Sequence, residues 1–251
     1  MKTTIISTLC FLLFGAMSAQ AQTDKDNAEF EKGITAYNAN NITEAINWFK
    51  KAADKGNEAA MFNMGFIYYT QKDYTNAFSW YKKAADKGYI HAMYNLSLSY
   101  MDGLGVSKNE TEALKWMQQA ADKDFEPAKK IISEWSESYF TQGKYFETRG
   151  SYKEAYDNYK KAAELGLASA MYEIGLLYYN GTGVAQNYTE TINWYKKAAD
   201  RANTEAMYKL GVLYFIGKTV PQDNTEAYNW LKKAADKGHE KAKKVLEDYW
   251  K

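Results

Sequence analysis

The chain has 251 residues, 25% of them charged, and its 32 Lys+Arg stand against 31 Asp+Glu. Such a balance, with both signs interspersed, argues against nucleic acid as a partner, because that needs a basic face to neutralise phosphates. The one cysteine is Cys10, so beyond it a thiol nucleophile, a thiolate metal site and disulfide staples are all excluded.

Residues 1–21 read as a secretory signal peptide rather than as part of the fold. Lys2 is a short basic start, Ile5 to Phe14 an apolar core, and Ala19-Gln20-Ala21 a small-x-small cleavage site. The apolar run is too short for a convincing membrane span, and Cys10 lies inside it, where lipid attachment is not expected. Cleavage after Ala21 would leave an exported chain, periplasmic or secreted, with zero net charge because only Lys2 is lost.

From there one phrase recurs. Trp80-Tyr81-Lys82-Lys83-Ala84-Ala85-Asp86-Lys87-Gly88 has counterparts beginning at Trp48, Trp116, Asn158, Trp194 and Trp230, at steps of 32 to 42 residues. A period in that range signals stacked helical repeats. Six units follow, and each reads as two helices.

The first helix of each unit is clearest over Ala170–Tyr178, with equivalents at Ala60–Tyr68, Ala92–Tyr100 and Ala206–Tyr214. Ala170, Ile174 and Tyr178 form one apolar face at four-residue spacing. A glycine inside a helix costs about 1 kcal/mol, so its reuse at Gly33, Gly65, Gly143, Gly175 and Gly211 predicts close helix contact. Ser97 replaces it in the third unit.

The second helix begins at Asn41, Asp73, Asn109, Ser151, Asn187 or Asp223, all N-capping types. Glu44, Glu112, Glu154, Glu190 and Glu226, three residues on, complete a capping-box pattern in five of the six units. Its buried stripe reads Ala45, Phe49, Ala52 in the first unit and Ala227, Leu231, Ala234 in the last. Gly56, Gly88, Gly166 and Gly238 predict a left-handed stop. Units three, five and six have a longer link between their helices, carrying Gly103-Leu104-Gly105-Val106, Gly181-Thr182-Gly183-Val184 and Gly217-Lys218-Thr219-Val220.

The pattern Ala-Met-Tyr-x-x-Gly-x-x-Tyr-x-x-Gly-x-Gly-Val followed by Trp-Tyr-x-Lys-Ala-Ala resembles the Sel1-like repeat, with Ala170–Ala199 as its best copy. The short-linked first, second and fourth units are more similar to the related tetratricopeptide repeat. Thr219, Ser97 and Asn158 depart from the pattern. The resemblance implies an all-α, right-handed superhelical solenoid whose first helices line the surface that receives partners.

Offsets between matching residues divide the chain into two three-repeat blocks, 22–135 and 136–251, each ending in its own terminal helix. Pro127 suits a first helical turn, and residues 128–142 contain neither Gly nor Pro. One long helix is therefore predicted from near Pro127 to near Thr148, and the last helix caps the second block.

Catalytic and metal readings find little support. Ser79-Trp80-Tyr81-Lys82 fits a Ser-x-x-Lys nucleophile motif, but its lysine belongs to the repeat and no orienting base accompanies it. His91 and His239 lack neighbours at ligand spacing and read as surface residues. The glycine pairs follow helices, not strands, so they are not phosphate loops. No enzyme activity, metal or cofactor is expected.

A second apolar stripe on the first helices is more informative. Phe62, Phe66, Tyr69; Tyr94, Leu98, Met101; Tyr172, Leu176, Tyr179; and Tyr208, Val212, Phe215 lie at i, i+4, i+7. Either they pack between adjacent repeats or they anchor a partner. The expected partner-binding residues are Phe62, Phe66, Tyr69, Tyr94, Met101, Tyr172, Tyr179, Tyr208 and Phe215, and Lys144 and Glu147 interrupt the stripe in the fourth unit. The resulting expectation is an exported, non-catalytic scaffold for an envelope protein or peptide. The alternative is a glycan-binding or hydrolase-associated envelope module.

Overall fold

The computed structural model describes residues 28–217 and 220–250, among which there are thirteen helices and no strand. The expected signal segment and cleavage site, with Lys218 and Thr219, lie outside the described residues. Two compact units divide between Ile131 and Ile132. No described helix is long and apolar enough to cross a membrane.

In the first unit the helices are α1 (Ala28–Asn38), α2 (Ile42–Asp54), α3 (Glu58–Thr70), α4 (Tyr74–Asp86), α5 (Ile90–Asp102) and α6 (Glu110–Asp122). Next comes α7 (Glu126–Thr148), the single long helix that Pro127 and the uninterrupted spacing predict. The second unit continues through α8 (Tyr152–Glu164), α9 (Ala168–Asn180), α10 (Tyr188–Asp200), α11 (Thr204–Ile216), α12 (Asn224–Asp236) and α13 (Glu240–Tyr249). Odd-numbered helices are the first of each pair and even-numbered helices the second; α13 stands alone at the end.

Each pair is held by one large side chain pressed onto a small residue. Phe49, Tyr81, Met117, Tyr159, Tyr195 and Leu231, one from each second helix, are at most 1% exposed. A Cβ on Gly175 would lie 2.5 Å from the Tyr195 ring, and one on Gly65 would lie 2.6 Å from that of Tyr81. Hydrogen is therefore the only substituent the ring tolerates there. In the third pair Ser97 has its hydroxyl on the Ala113 carbonyl, and the large residue is the flexible Met117 instead of a ring. Burying one such side chain contributes roughly 1.5–3 kcal/mol.

The second helices start where their caps say. Side-chain oxygens of Asn41, Asp73, Asn109 and Asn187 accept from the backbone three residues on, and Asp223 accepts from both Thr225 and Glu226. Ser151 makes no such bond. The capping boxes do not close, for a specific reason. Each cap's own N–H already donates to a first-helix carbonyl, as Asn41 does to Ala36 and Asp223 to Tyr214. Glu44 and Glu226 turn instead to the indole N–H of Trp48 and Trp230, at 3.2 and 3.0 Å.

Gly56, Gly88, Gly166 and Gly238 have positive φ after their helices, and Asp124 and Ala202 take that conformation in the other two units. In the longer link, Gly183 (φ +74) passes so close to Tyr152 that a Cβ would lie 2.6 Å from its carbonyl carbon. Glycine is needed there on both counts.

Candidate partner-binding surface

The nine stripe residues separate by how far their neighbours close over them. In the first unit Phe62 and Tyr94 are 4% and 5% exposed. Phe62 sits 5.7 Å from Tyr81 and 5.3 Å from Tyr89, and Tyr94 meets Phe125 edge-on at 5.6 Å. These two rings lie under others. Phe66, Tyr69 and Met101 are half-buried: Phe66 leans on Tyr37 of α1 at 6.3 Å, and Tyr69 meets Tyr74 at 5.5 Å.

In the second unit Tyr172 stacks on Tyr195 at 5.5 Å and Tyr208 on His239 at 4.5 Å, both half-buried. Tyr179 is the most open of the nine, 37% exposed, with Tyr188 at 5.8 Å. Phe215 is held between Tyr249 and Trp250 at 5.0 and 5.1 Å.

Charge enters this face where Lys144 and Glu147 break the stripe. Lys144 Nζ lies 2.6 Å from Glu173 and 3.1 Å from Glu147, and the Tyr159 hydroxyl donates to Glu147 at 2.7 Å. Burial pushes the Glu173 carboxyl up, with the Lys144 ammonium pulling it back. Burial works against the Lys144 charge too, but Glu173 and Glu147 outweigh it and hold that ammonium above its ordinary range. The Tyr159 phenol is raised by burial and then by its bond to Glu147.

Neither histidine is a surface residue. His91 lies among the rings of Phe62, Tyr89 and Phe125, and burial lowers its pKa. His239 caps α13, accepting the Ala242 N–H on Nδ1, while Nε2 meets Glu205 at 2.9 Å. Their equivalents explain the misreading: His239 occupies the capping place of Asn57 and Asn203, which sequence spacing alone could have found. Lys82, of the Ser-x-x-Lys match, pairs with Asp86.

The second helices carry a different motif, legible only in the structure. Lys51, Lys83, Lys197 and Lys233 lie 4.3, 4.0, 4.0 and 4.2 Å over the rings of Trp48, Trp80, Trp194 and Trp230. Trp-x-x-Lys on one helix face thus makes a cation–π pair, of about 0.5–1 kcal/mol at such sites. Between α10 and α12 lies a cavity of about 570 Å³ where Lys196, Lys232 and Lys233 are balanced by Asp200, Glu226 and Asp236, beside Trp230.

Helix pairs of one recurring design, each locked by a large buried side chain on a small residue, define an all-α helical-repeat protein. The Sel1 repeat model matches residues 90–125, 139–167, 168–203 and 204–239, more than half of the chain, and a tetratricopeptide repeat model matches 30–89. The chain belongs to the Sel1 repeat family. Its fourth unit, tetratricopeptide-like by its short link, falls under the Sel1 model.

Among solved structures, a Sel1 repeat protein from Oxalobacter formigenes is 33% identical, with 88% of this chain and 89% of that chain covered and a TM-score of 0.41. The protective antigen c5321 of uropathogenic Escherichia coli, which displays an SLR fold, is 28% identical over 95% of this chain and 50% of that one, with a TM-score of 0.41. A TPR repeats protein from Bacteroides fragilis is 20% identical, covering 90% and 98%, with a TM-score of 0.44. No curated protein matches.

Proposed function

We propose that the chain is an exported, non-catalytic scaffold that binds a protein or peptide of the cell envelope along its first helices. One observation carries this reading. The large residues of the second helices are sealed, at most 1% exposed, while Phe66, Tyr69, Met101, Tyr172, Tyr179, Tyr208 and Phe215 on the first helices keep part of their surface open. Half-open rings in fixed positions suit interface anchors, since little freedom is lost when a partner covers them. Export rests on Lys2, the apolar run and Ala19-Gln20-Ala21. N-terminal sequencing of the secreted chain should read from Gln22; an intact Met1 overturns that part.

The surface is tested by selecting a dodecapeptide on the purified full chain from a random library. Tyr179→Ala should weaken it by about 1–2 kcal/mol, as anchors do, with melting nearly unchanged. Tyr195→Ala, which empties a sealed site, should cost about 3–5 kcal/mol of stability, as for other large aromatics in cores. Equal behaviour of the two variants contradicts the assignment.

A further inference from the structure

α13 continues the series of first helices. His239 caps it as Asn203 caps α11, so the two helices share one register. In that register Met207, Leu210, Gly211 and Tyr214 of α11 correspond to Lys243, Leu246, Glu247 and Trp250. On α11 this face receives a second helix, with Leu231 of α12 pressed onto Gly211. On α13 no second helix follows among the described residues. Lys243 and Glu247 are exposed there, and Leu246 and Trp250 are half-buried.

Two features of this face exceed what a polar end cap needs. The first is the order of its charges. Lys241, Lys243 and Lys244 stand in the first half of α13, and Glu247 and Asp248 in its last turn, all five exposed. Apart from Glu240, that order opposes the helix macrodipole, which favours anions at the start and cations at the end. The second is aromatic exposure. Tyr249 is 65% exposed, and Tyr228 of α12, 37% exposed, lies 6.1 Å from the Trp250 ring.

We propose that this face binds its own counterpart on a second copy of the chain, the two α13 helices packing antiparallel about a two-fold axis. Short links make each second helix antiparallel to its first, so each α13 takes the place of the other's second helix. About a two-fold axis, a contact from one residue to another is made twice, once in each direction. Lys243 and Glu247 lie one turn apart on one stripe. Reversing one copy therefore sets Lys243 against Glu247 of the second copy at two places, around Leu246. The same register brings the exposed Tyr249 to Lys241 of the second copy, a cation–π contact. The basic start of each helix then lies along the acidic end of the other, so the charge order that opposes the dipole within one copy is answered by the next. A ten-residue helix is about 15 Å long, so the contact is small and the dimer should form in the micromolar range. It does not depend on what the first helices receive.

Sedimentation equilibrium of the purified full chain across about 1–300 µM brackets the affinity of so small a contact. The mass should rise from 28.7 kDa towards twice that value. Lys243→Glu or Glu247→Lys alone brings like charges together and should weaken the dimer at least about tenfold. Both positions are exposed, so each variant should melt as the parent does. An equal mixture of the two single variants, or the double variant Lys243→Glu/Glu247→Lys, restores opposite charges at both contacts and should restore association. In the unmutated chain, raising salt from about 50 to about 500 mM should weaken the dimer, which keeps the test valid if a variant misfolds. A parent that stays at 28.7 kDa throughout, assembly beyond a dimer, or association indifferent to salt overturns the proposal. So do single variants that associate like the parent, or a double variant as weak as the singles.

Discussion

The ring of Tyr195 occupies the space that a Cβ on Gly175 would need, at 2.5 Å from its built position. Ring and glycine are one unit of packing, repeated in the first, second, fourth and fifth pairs; the third uses Ser97 and Met117, and the sixth sets Leu231 on Gly211. Gly175→Ala should therefore lower stability by about 1–3 kcal/mol, the strain of overpacking outweighing the roughly 1 kcal/mol that alanine contributes to a helix. Gly175→Ser combined with Tyr195→Met imitates the third pair and should recover part of the loss. Urea unfolding of the single and double variants measures both; an additive double variant would show that the two positions do not share one space.

His239 holds the start of α13 as Asn57 and Asn203 hold α3 and α11. His239→Asn should preserve the cap, and His239→Ala should lose about 1 kcal/mol of stability. Hydrogen exchange across residues 240–249 reports it directly, with protection kept in the first variant and reduced in the second. Equal protection in both would assign the histidine's worth to Glu205 and Tyr208 instead.

His91 gives a pH dependence. Burial among three rings holds its pKa below 6.5, so between that lowered value and 6.5 the unfolded chain binds more protons than the folded one. Stability from this group therefore rises with pH through that window and falls on acidification from about pH 6.5. Subtracting the urea midpoints of His91→Phe from those of the parent should leave a curve that declines towards acid pH. A flat difference would mean that the imidazole is not shielded.

Where chemistry repeats at fixed spacing, the fold was legible from residues alone. The caps at Asn41 and Asp223, the glycine stops and the uninterrupted run after Pro127 all locate helix ends, because each satisfies a local backbone need. Long-range competition was not legible. Glu44 looks like half of a capping box, but Asn41 gives its N–H to Ala36, and no local pattern announces that. Within the stripe, spacing treats Phe62 and Phe66 alike; what separates them is that Tyr81 and Tyr89 close over Phe62, whereas Phe66 keeps an open edge.

The central claim is that the first helices, and not the Trp-bearing second helices, receive the partner. A benzophenone group placed on the selected dodecapeptide, photolysed with the full chain and mapped by mass spectrometry, tests it most directly. The crosslinks are expected on first helices within one unit, either α3 and α5 near Phe66 and Met101 or α9 and α11 near Tyr179 and Phe215. Crosslinks concentrated on α4, α6, α10 and α12, around Trp80, Trp116, Trp194 and Trp230, would contradict it.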